Sequence, residues 1–226
     1  MLKIVTWNLM RPNTKTYNRN SVFHETLRSL DADIIVLTET NGLMDLGNDY
    51  FLSKTKALPS DHEGFPYSDG ENRTTIYSKY PFTRHFNTYD EYTAVCSEVL
   101  TPFGHLIIYG TIMGVTGGKD SRFKSDFEKQ MMDIVAISQN GSTCVAGDLN
   151  ITLSGYAYPS HAIINDVNDF FEDNAIEILT RNISDTVDHI AISQQFLVNL
   201  NFETERLPFD KKITDHNLVI VTLEKQ

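Results

Sequence analysis

Cysteine is scarce: only Cys96 and Cys144 occur in 226 residues. Two thiols cannot build the disulfide framework of a small secreted scaffold, and both lie in apolar, strand-like sequence, so buried free thiols are expected. Positive charge is short as well. Lys and Arg total 19 against 30 Asp and Glu, a formal net charge of -11. A broad non-specific duplex interface draws its affinity from spread cations and released counterions, so this balance argues against one while leaving room for a small positive cleft. No apolar run approaches a membrane span, and the first residues, Met1 to Asn8, lack the apolar core and small-residue cleavage pattern of a secretory signal. The expectation is a cytoplasmic chain without membrane contact. A phosphate-binding loop is missing too. Gly117-Gly118-Lys119 lacks the glycine spacing and the following Ser or Thr that a nucleotide triphosphatase needs.

What is present is ordinary globular composition, 41% hydrophobic and 22% charged, over a length that suits one α/β domain spanning residues 1–226. Leu2 to Trp7 reads as a strand. Val22, Phe23, Leu27 and Leu30 fall near helical spacing, and Ile34-Ile35-Val36-Leu37 follows as a second, wholly apolar strand. The unit is β-α-β, in which a helix covers one sheet face. The stretch to Gly70 is broken by turn signals, with a short extended piece from Tyr50 to Ser53. Tyr92 to Leu100 and Leu106 to Tyr109 form a hairpin. Phe123, Phe127, Met131, Ile134, Val135 and Ile137 mark a helix that feeds the strand Thr143 to Ala146, a second β-α-β-like half. Ile163 to Asn174 has mixed turn and short-helix character. Ile176 to Leu179, Val187 to Ile192 and Leu218 to Leu223 are further strands, with Phe196 to Phe202 the least distinct.

The polar residues at the strand ends carry the chemistry. Asn8 follows the first strand, Glu39 ends the second, and Gly147-Asp148-Leu149-Asn150 places a carboxylate and an amide two residues apart after an apolar run. Each has a plain structural reading as a turn residue or solvated carboxylate. Taken together they describe a crevice at strand carboxyl ends, where open α/β sheets place ligands. Two Asp-His pairs, Asp188-His189 and Asp215-His216, stand at two further element junctions. Arg73 could neutralise a phosphate or cap a sheet edge, with the structural role preferred, and His24 reads as a surface histidine. Gly155-Tyr156-Ala157-Tyr158-Pro159-Ser160-His161 could stack on a base or simply pack over the sheet.

Trp7-Asn8, Glu39, Gly147-Asp148-Leu149-Asn150, Val187-Asp188-His189-Ile190 and Thr214-Asp215-His216-Asn217 resemble, in order, the motifs of the endonuclease/exonuclease/phosphatase superfamily. The resemblance runs from residue 2 to residue 223. It implies a DNase I-like four-layer α-β-β-α sandwich and a hydrolase that uses Mg²⁺ or Mn²⁺ to cleave phosphodiesters or phosphomonoesters. It further implies that Glu39 is the main metal carboxylate with Asn8 beside it, and that Asp215 joins or binds a second ion. Asp148 corresponds to the residue that activates the attacking water, Asn150 to the one that positions it, and His216 to the donor to the scissile phosphate, held by Asp188. His189 matches no catalytic position. Many members carry a histidine or tyrosine after the strand Leu106 to Tyr109. Tyr109 or Thr111 is expected there, and neither supplies imidazolium charge. The substrate implied is a phosphoester, with DNA or RNA leading, and small or lipid phosphoesters or an inactive binding module as alternatives. A monomer is expected. Lys119, Arg122, Lys124, Lys211 and Lys212 are the few cations available for a nucleic-acid backbone.

Overall fold

A computed structural model describes residues 1–226. In chain order it contains β1 (Leu2–Asn8), α1 (Tyr17–Leu30), β2 (Ile34–Asn41), β3 (Phe51–Lys54), β4 (Asp61–His62), β5 (Phe65–Pro66), β6 (Glu71–Ser78) and β7 (Phe82–Phe86). There follow β8 (Val95–Thr101), β9 (Gly104–Ile112), α2 (Phe123–Ser138), β10 (Thr143–Asp148), α3 (His161–Asp173), β11 (Ile176–Ile178), β12 (Asp188–Ser193), α4 (Gln194–Leu197), β13 (Leu200–Leu207) and β14 (Leu218–Lys225). No helix is long and apolar enough to cross a membrane.

Two six-stranded sheets form, in the orders β13-β14-β1-β2-β6-β3 and β11-β12-β10-β9-β8-β7, with β4 and β5 a separate small hairpin. Each sheet holds one parallel pair. Those pairs are β1 with β2 and β9 with β10, and the connections run through α1 and α2. The two β-α-β halves legible in the sequence are thus one in each sheet.

Strand alternation builds the layers. In β1, Leu2 and Ile4 point between the sheets, where they meet Ile34, Ile108, Cys144, Ala146 and Ile190. Val5 and Trp7 point the other way and pack with Phe23 and Leu27 of α1. In the second sheet Val145 and Ala191 face outward, onto Phe123, Met131 and Ile134 of α2 and Val167 and Phe171 of α3. The result is helix, sheet, sheet, helix, the four-layer α/β sandwich expected. Both cysteines are buried and unpaired.

The structure differs from the sequence expectations in local detail. Residues 161–173 make a full helix, α3, where mixed turn and short-helix character was expected over residues 163–174. Asn165, Asp166, Asn168 and Asp169 are turn formers, but Val167 and Phe171 lie one turn apart and both are fully buried. The Ser160 side chain accepts from the Ile163 N–H at 3.3 Å and caps the start. Residues 196–202 divide into the end of α4 and the start of β13.

Candidate active site

The same alternation that sends Val5 and Trp7 to the helix sends Asn8 into the gap between the sheets, one residue past the aliphatic layer. Asp148 ends β10 on the inward parity of Cys144 and Ala146, and Asp188 opens β12 directly opposite it in the antiparallel register. Glu39 would point outward by the parity of Ile35 and Leu37. It adopts φ 44 instead, which breaks the alternation and turns the carboxylate toward Asn8. Two carboxyl ends from the first sheet and two strand ends from the second therefore meet at one cleft.

A hydrogen-bond lattice fixes these groups. Asn8 Nδ2 donates to Glu39 Oε1 at 3.2 Å and to Asp148 Oδ2 at 3.0 Å. Asn8 Oδ1 accepts from the Met10 N–H at 2.8 Å, which sets the amide orientation because only the oxygen can serve that donor. Asn8 was expected as a metal neighbour; its oxygen is turned away, and it bridges the two carboxylates through its amide hydrogens. The Asn150 N–H donates to Asp148 Oδ1 at 2.9 Å, while its Nδ2 donates to the Met113 carbonyl at 3.0 Å. Asn150 at φ 52 is in the left-handed region that asparagine tolerates better than most side chains.

Gly147 explains why a glycine precedes this aspartate. Its φ is 143, and a Cβ there would lie 1.9 Å from the Thr111 carbonyl oxygen of β9. Any other residue would push β10 off β9 and displace Asp148.

His216 Nδ1 donates to Asp188 Oδ2 at 2.7 Å, and the imidazole is 15% exposed. Burial alone would lower its pKa, but the charges of Asp188 and Asp148 and the hydrogen bond outweigh that and push it up to about 10. The ring is an imidazolium at neutral pH. Asp148 moves the other way from an ordinary carboxylate: burial raises its pKa, and Asp188 and Glu39 add to this against the opposing His216 charge. Burial also raises Glu39, partly offset by the bond from Asn8. Asp188 Oδ1 is buried without a hydrogen-bond partner.

The expected phosphate-facing residue of β9 changes. Tyr109 is not at the cleft: it has the outward parity of Ile107, is fully buried under α2, and donates to Asp133 Oδ2 at 3.2 Å. Thr111 shares that face and donates to Gln130 Oε1 at 2.8 Å. The β9 residue that lines the cleft is Ile112, which offers no hydrogen bond. Asp215 is 57% exposed at the rim, 3.7 Å from His216 Nε2, and stands apart from the Glu39–Asn8–Asp148 lattice. His189 points outward and is neutral, its Nε2–H donating to the Ile151 carbonyl at 2.8 Å while Thr180 Oγ1 lies 3.0 Å from Nδ1. Within the aromatic loop Tyr158 packs, its OH accepting from the Gly118 N–H at 2.9 Å, while Tyr156 is exposed. Arg73 is 3% exposed and bound to Thr93 and Glu63, the structural role.

Sequence reasoning missed Arg11 and Glu71. Glu71, 2% exposed at the start of β6, takes a salt bridge from Arg11, whose guanidinium lies 4.5 Å from the Tyr67 ring centroid. Met10 and Arg11 both have positive φ as the chain leaves β1, and Arg11 lines the cleft. No signal in the sequence pairs residues 60 apart.

The donor set suits a hard divalent cation. Glu39 and Asp148 are oxygen donors held by one amide, and the burial that disfavours their charges is what a cation relieves. No three His, Cys, Asp or Glu converge on a point, so a metal here would keep several waters, as Mg²⁺ commonly does.

Solved structures with this fold include the human Nocturnin catalytic domain with bound sulfate (15% identity, 100% of this chain and 93% of that one, TM-score 0.71). Another is the endonuclease domain of TRAS1, a telomere-specific non-LTR retrotransposon (13%, 100% and 99%, 0.68). A third is beta toxin from Staphylococcus aureus in an F277A, P278A mutant with bound magnesium ions (15%, 97% and 98%, 0.65). No curated protein matches the sequence significantly. A family model does match, over residues 5–216, nearly the whole chain and every strand end described above, and the chain therefore belongs to the Endonuclease/Exonuclease/phosphatase family, a superfamily of phosphoesterases that generally depend on divalent metals.

Proposed function

We propose that the protein is a divalent-metal-dependent phosphoesterase that cleaves a phosphodiester, with nucleic acid as the leading substrate class. The observation that carries this reading is the lattice in which Asn8 ties Glu39 to Asp148 while Asp188 holds a charged His216 beside them. Glu39, with Asp148 next to it, would hold Mg²⁺ or Mn²⁺, which supplies charge neutralisation at the phosphoryl group.

The chain's own groups do the rest. Asp148, its basicity raised by burial, accepts a proton from water as the water oxygen attacks phosphorus. Asn150 holds Asp148 in register through its backbone N–H. The P–O bond to the leaving group breaks as the new P–O bond forms, and the departing oxygen, released as an alkoxide, takes a proton from solvent to leave as an alcohol. His216 Nε2–H, directed away from Asp188, hydrogen-bonds the phosphoryl oxygens as charge grows on them, and Asp188 keeps the ring oriented and protonated. Ile112 adds no side-chain donor from β9 at this cleft.

Two of the structural neighbours carry nuclease titles, the TRAS1 endonuclease domain and the AP endonuclease LMAP from Leishmania major, which favours nucleic acid. The net charge of -11 favours a substrate of small footprint. The test is turnover against single-stranded and duplex DNA, abasic DNA, RNA and small phosphoesters, with magnesium, with manganese and with chelator. Cleavage of at least one class that requires the divalent ion and is lost in Glu39→Gln is the expected result. Equal turnover in chelator would overturn the proposal.

A further inference from the structure

The β4–β5 hairpin lies across one end of the cleft and is held from both sheets. From the first sheet, Arg11 donates to the Pro66 carbonyl, and Arg73, in β6, donates to Glu63 Oε2 at 2.8 Å. From the second, the Tyr92 ring ahead of β8 sits 4.6 Å from His62, and Arg122 at the start of α2 lies 5.9 Å from the Phe65 ring centroid. The cavity behind the hairpin has a volume of about 420 Å³. Glu39, Asp148 and His216 line one part of it, and Phe65, Tyr67 and Val115 line another. Such volumes enclose a single small ligand.

Two features bear on what enters. A duplex carries backbone onward in both directions from any phosphate, and a groove crossed by a hairpin cannot accommodate both. Phe65 is 39% exposed yet lines this cavity, so a large ring is kept at the surface where a flat partner can cover it. Tyr67 is already covered by Arg11 at 4.5 Å, whereas Arg122 approaches Phe65 only at 5.9 Å, which leaves Phe65 the more open of the two rings.

We propose that the hairpin makes this cleft a closed-ended subsite for one unpaired nucleoside phosphate, with Phe65 as the wall on which the base stacks. The substrate is then a free nucleotide-sized phosphoester or the unpaired part of a strand, and continuous duplex is excluded. This deepens the proposed function and rests on it.

The test measures binding in the Asp148→Asn background with magnesium, which removes the proposed base while an amide oxygen of the same size stays in its place, and each comparison is made within that background. Fluorescent single-stranded and duplex oligonucleotides are titrated, with adenosine monophosphate as competitor. Single strand should bind at least tenfold more tightly than duplex. Adding Phe65→Ala should weaken it on the order of 5- to 100-fold, the worth of stacking one base, and Phe65→Tyr should restore it. Competition by the monophosphate assigns the subsite to free nucleotides as well as strands; its failure restricts it to strands. Duplex bound as tightly as single strand, no binding of either, or indifference to Phe65→Ala with the melting temperature unchanged, would overturn the subsite. Magnesium-dependent hydrolysis of bis(p-nitrophenyl) phosphate by the wild-type protein reports the chemistry separately. Its absence alongside the expected binding would sink the reaction and keep the subsite.

Discussion

The two Asp-His pairs show how position alone sets a side chain's chemistry. His189 follows Asp188 inside β12 and so points away from the cleft, where burial lowers its pKa and leaves it neutral. His216 lies outside any strand, and its ring reaches back to the same aspartate. Its pKa is raised to about 10, so the ion pair contributes stability that is complete below the unfolded histidine pKa of about 6.5. That contribution is lost as pH rises from there through about 10. Imidazole nitrogen shifts followed by NMR should show His216 charged at pH 8 and His189 neutral. In Asp188→Asn the His216 titration should move down toward neutrality, and an unchanged titration would remove Asp188 as its partner. Asp188, His216, Glu39 and Asp148 were legible because polar residues at the ends of apolar runs are conspicuous. Tyr109 was misplaced for a physical reason. Both faces of β9 are buried, Leu106 and Ile108 on one and Ile107 and Tyr109 on the other, so alternation of polarity could not say which face met the cleft.

At the scale of elements, β10 depends on a glycine that nothing else can replace. Gly147→Ala would combine a left-handed φ with overlap against the Thr111 carbonyl, and about 2 kcal/mol or more of stability should be lost. Urea unfolding would measure it; a loss below about 0.5 kcal/mol would mean that β10 and β9 can separate freely. Helix α3 was only half legible, because its outward face is written in Asn and Asp and only Val167 and Phe171 of its inward face are fully buried. Phe171 is fully buried there, and Phe171→Ala should cost about 3–5 kcal/mol in the same experiment. The β4–β5 hairpin was not legible at all. Its partners, Arg11, Arg73, Tyr92 and Arg122, come from four separate parts of the chain, and local pattern carries no trace of such contacts.

Over the whole molecule, two β-α-β halves contribute unlike groups to one place. The first sheet supplies Asn8 and Glu39; the second supplies Asp148 and Asp188, and the segment before β14 supplies His216. Neither half holds a complete site. The aliphatic layer between the sheets fixes their spacing, so the polar lattice at its edge is pre-set before any substrate arrives. The most direct measurement is hydrolysis of bis(p-nitrophenyl) phosphate by chelator-treated protein as magnesium is added back, for the wild type and Asp148→Asn at equal melting temperature. The expected result is turnover that appears only with the metal and falls on the order of a hundredfold or more in the variant. Metal-independent turnover, or an Asp148→Asn protein as active as the wild type, would contradict the assignment of this cleft as the centre of phosphoester hydrolysis.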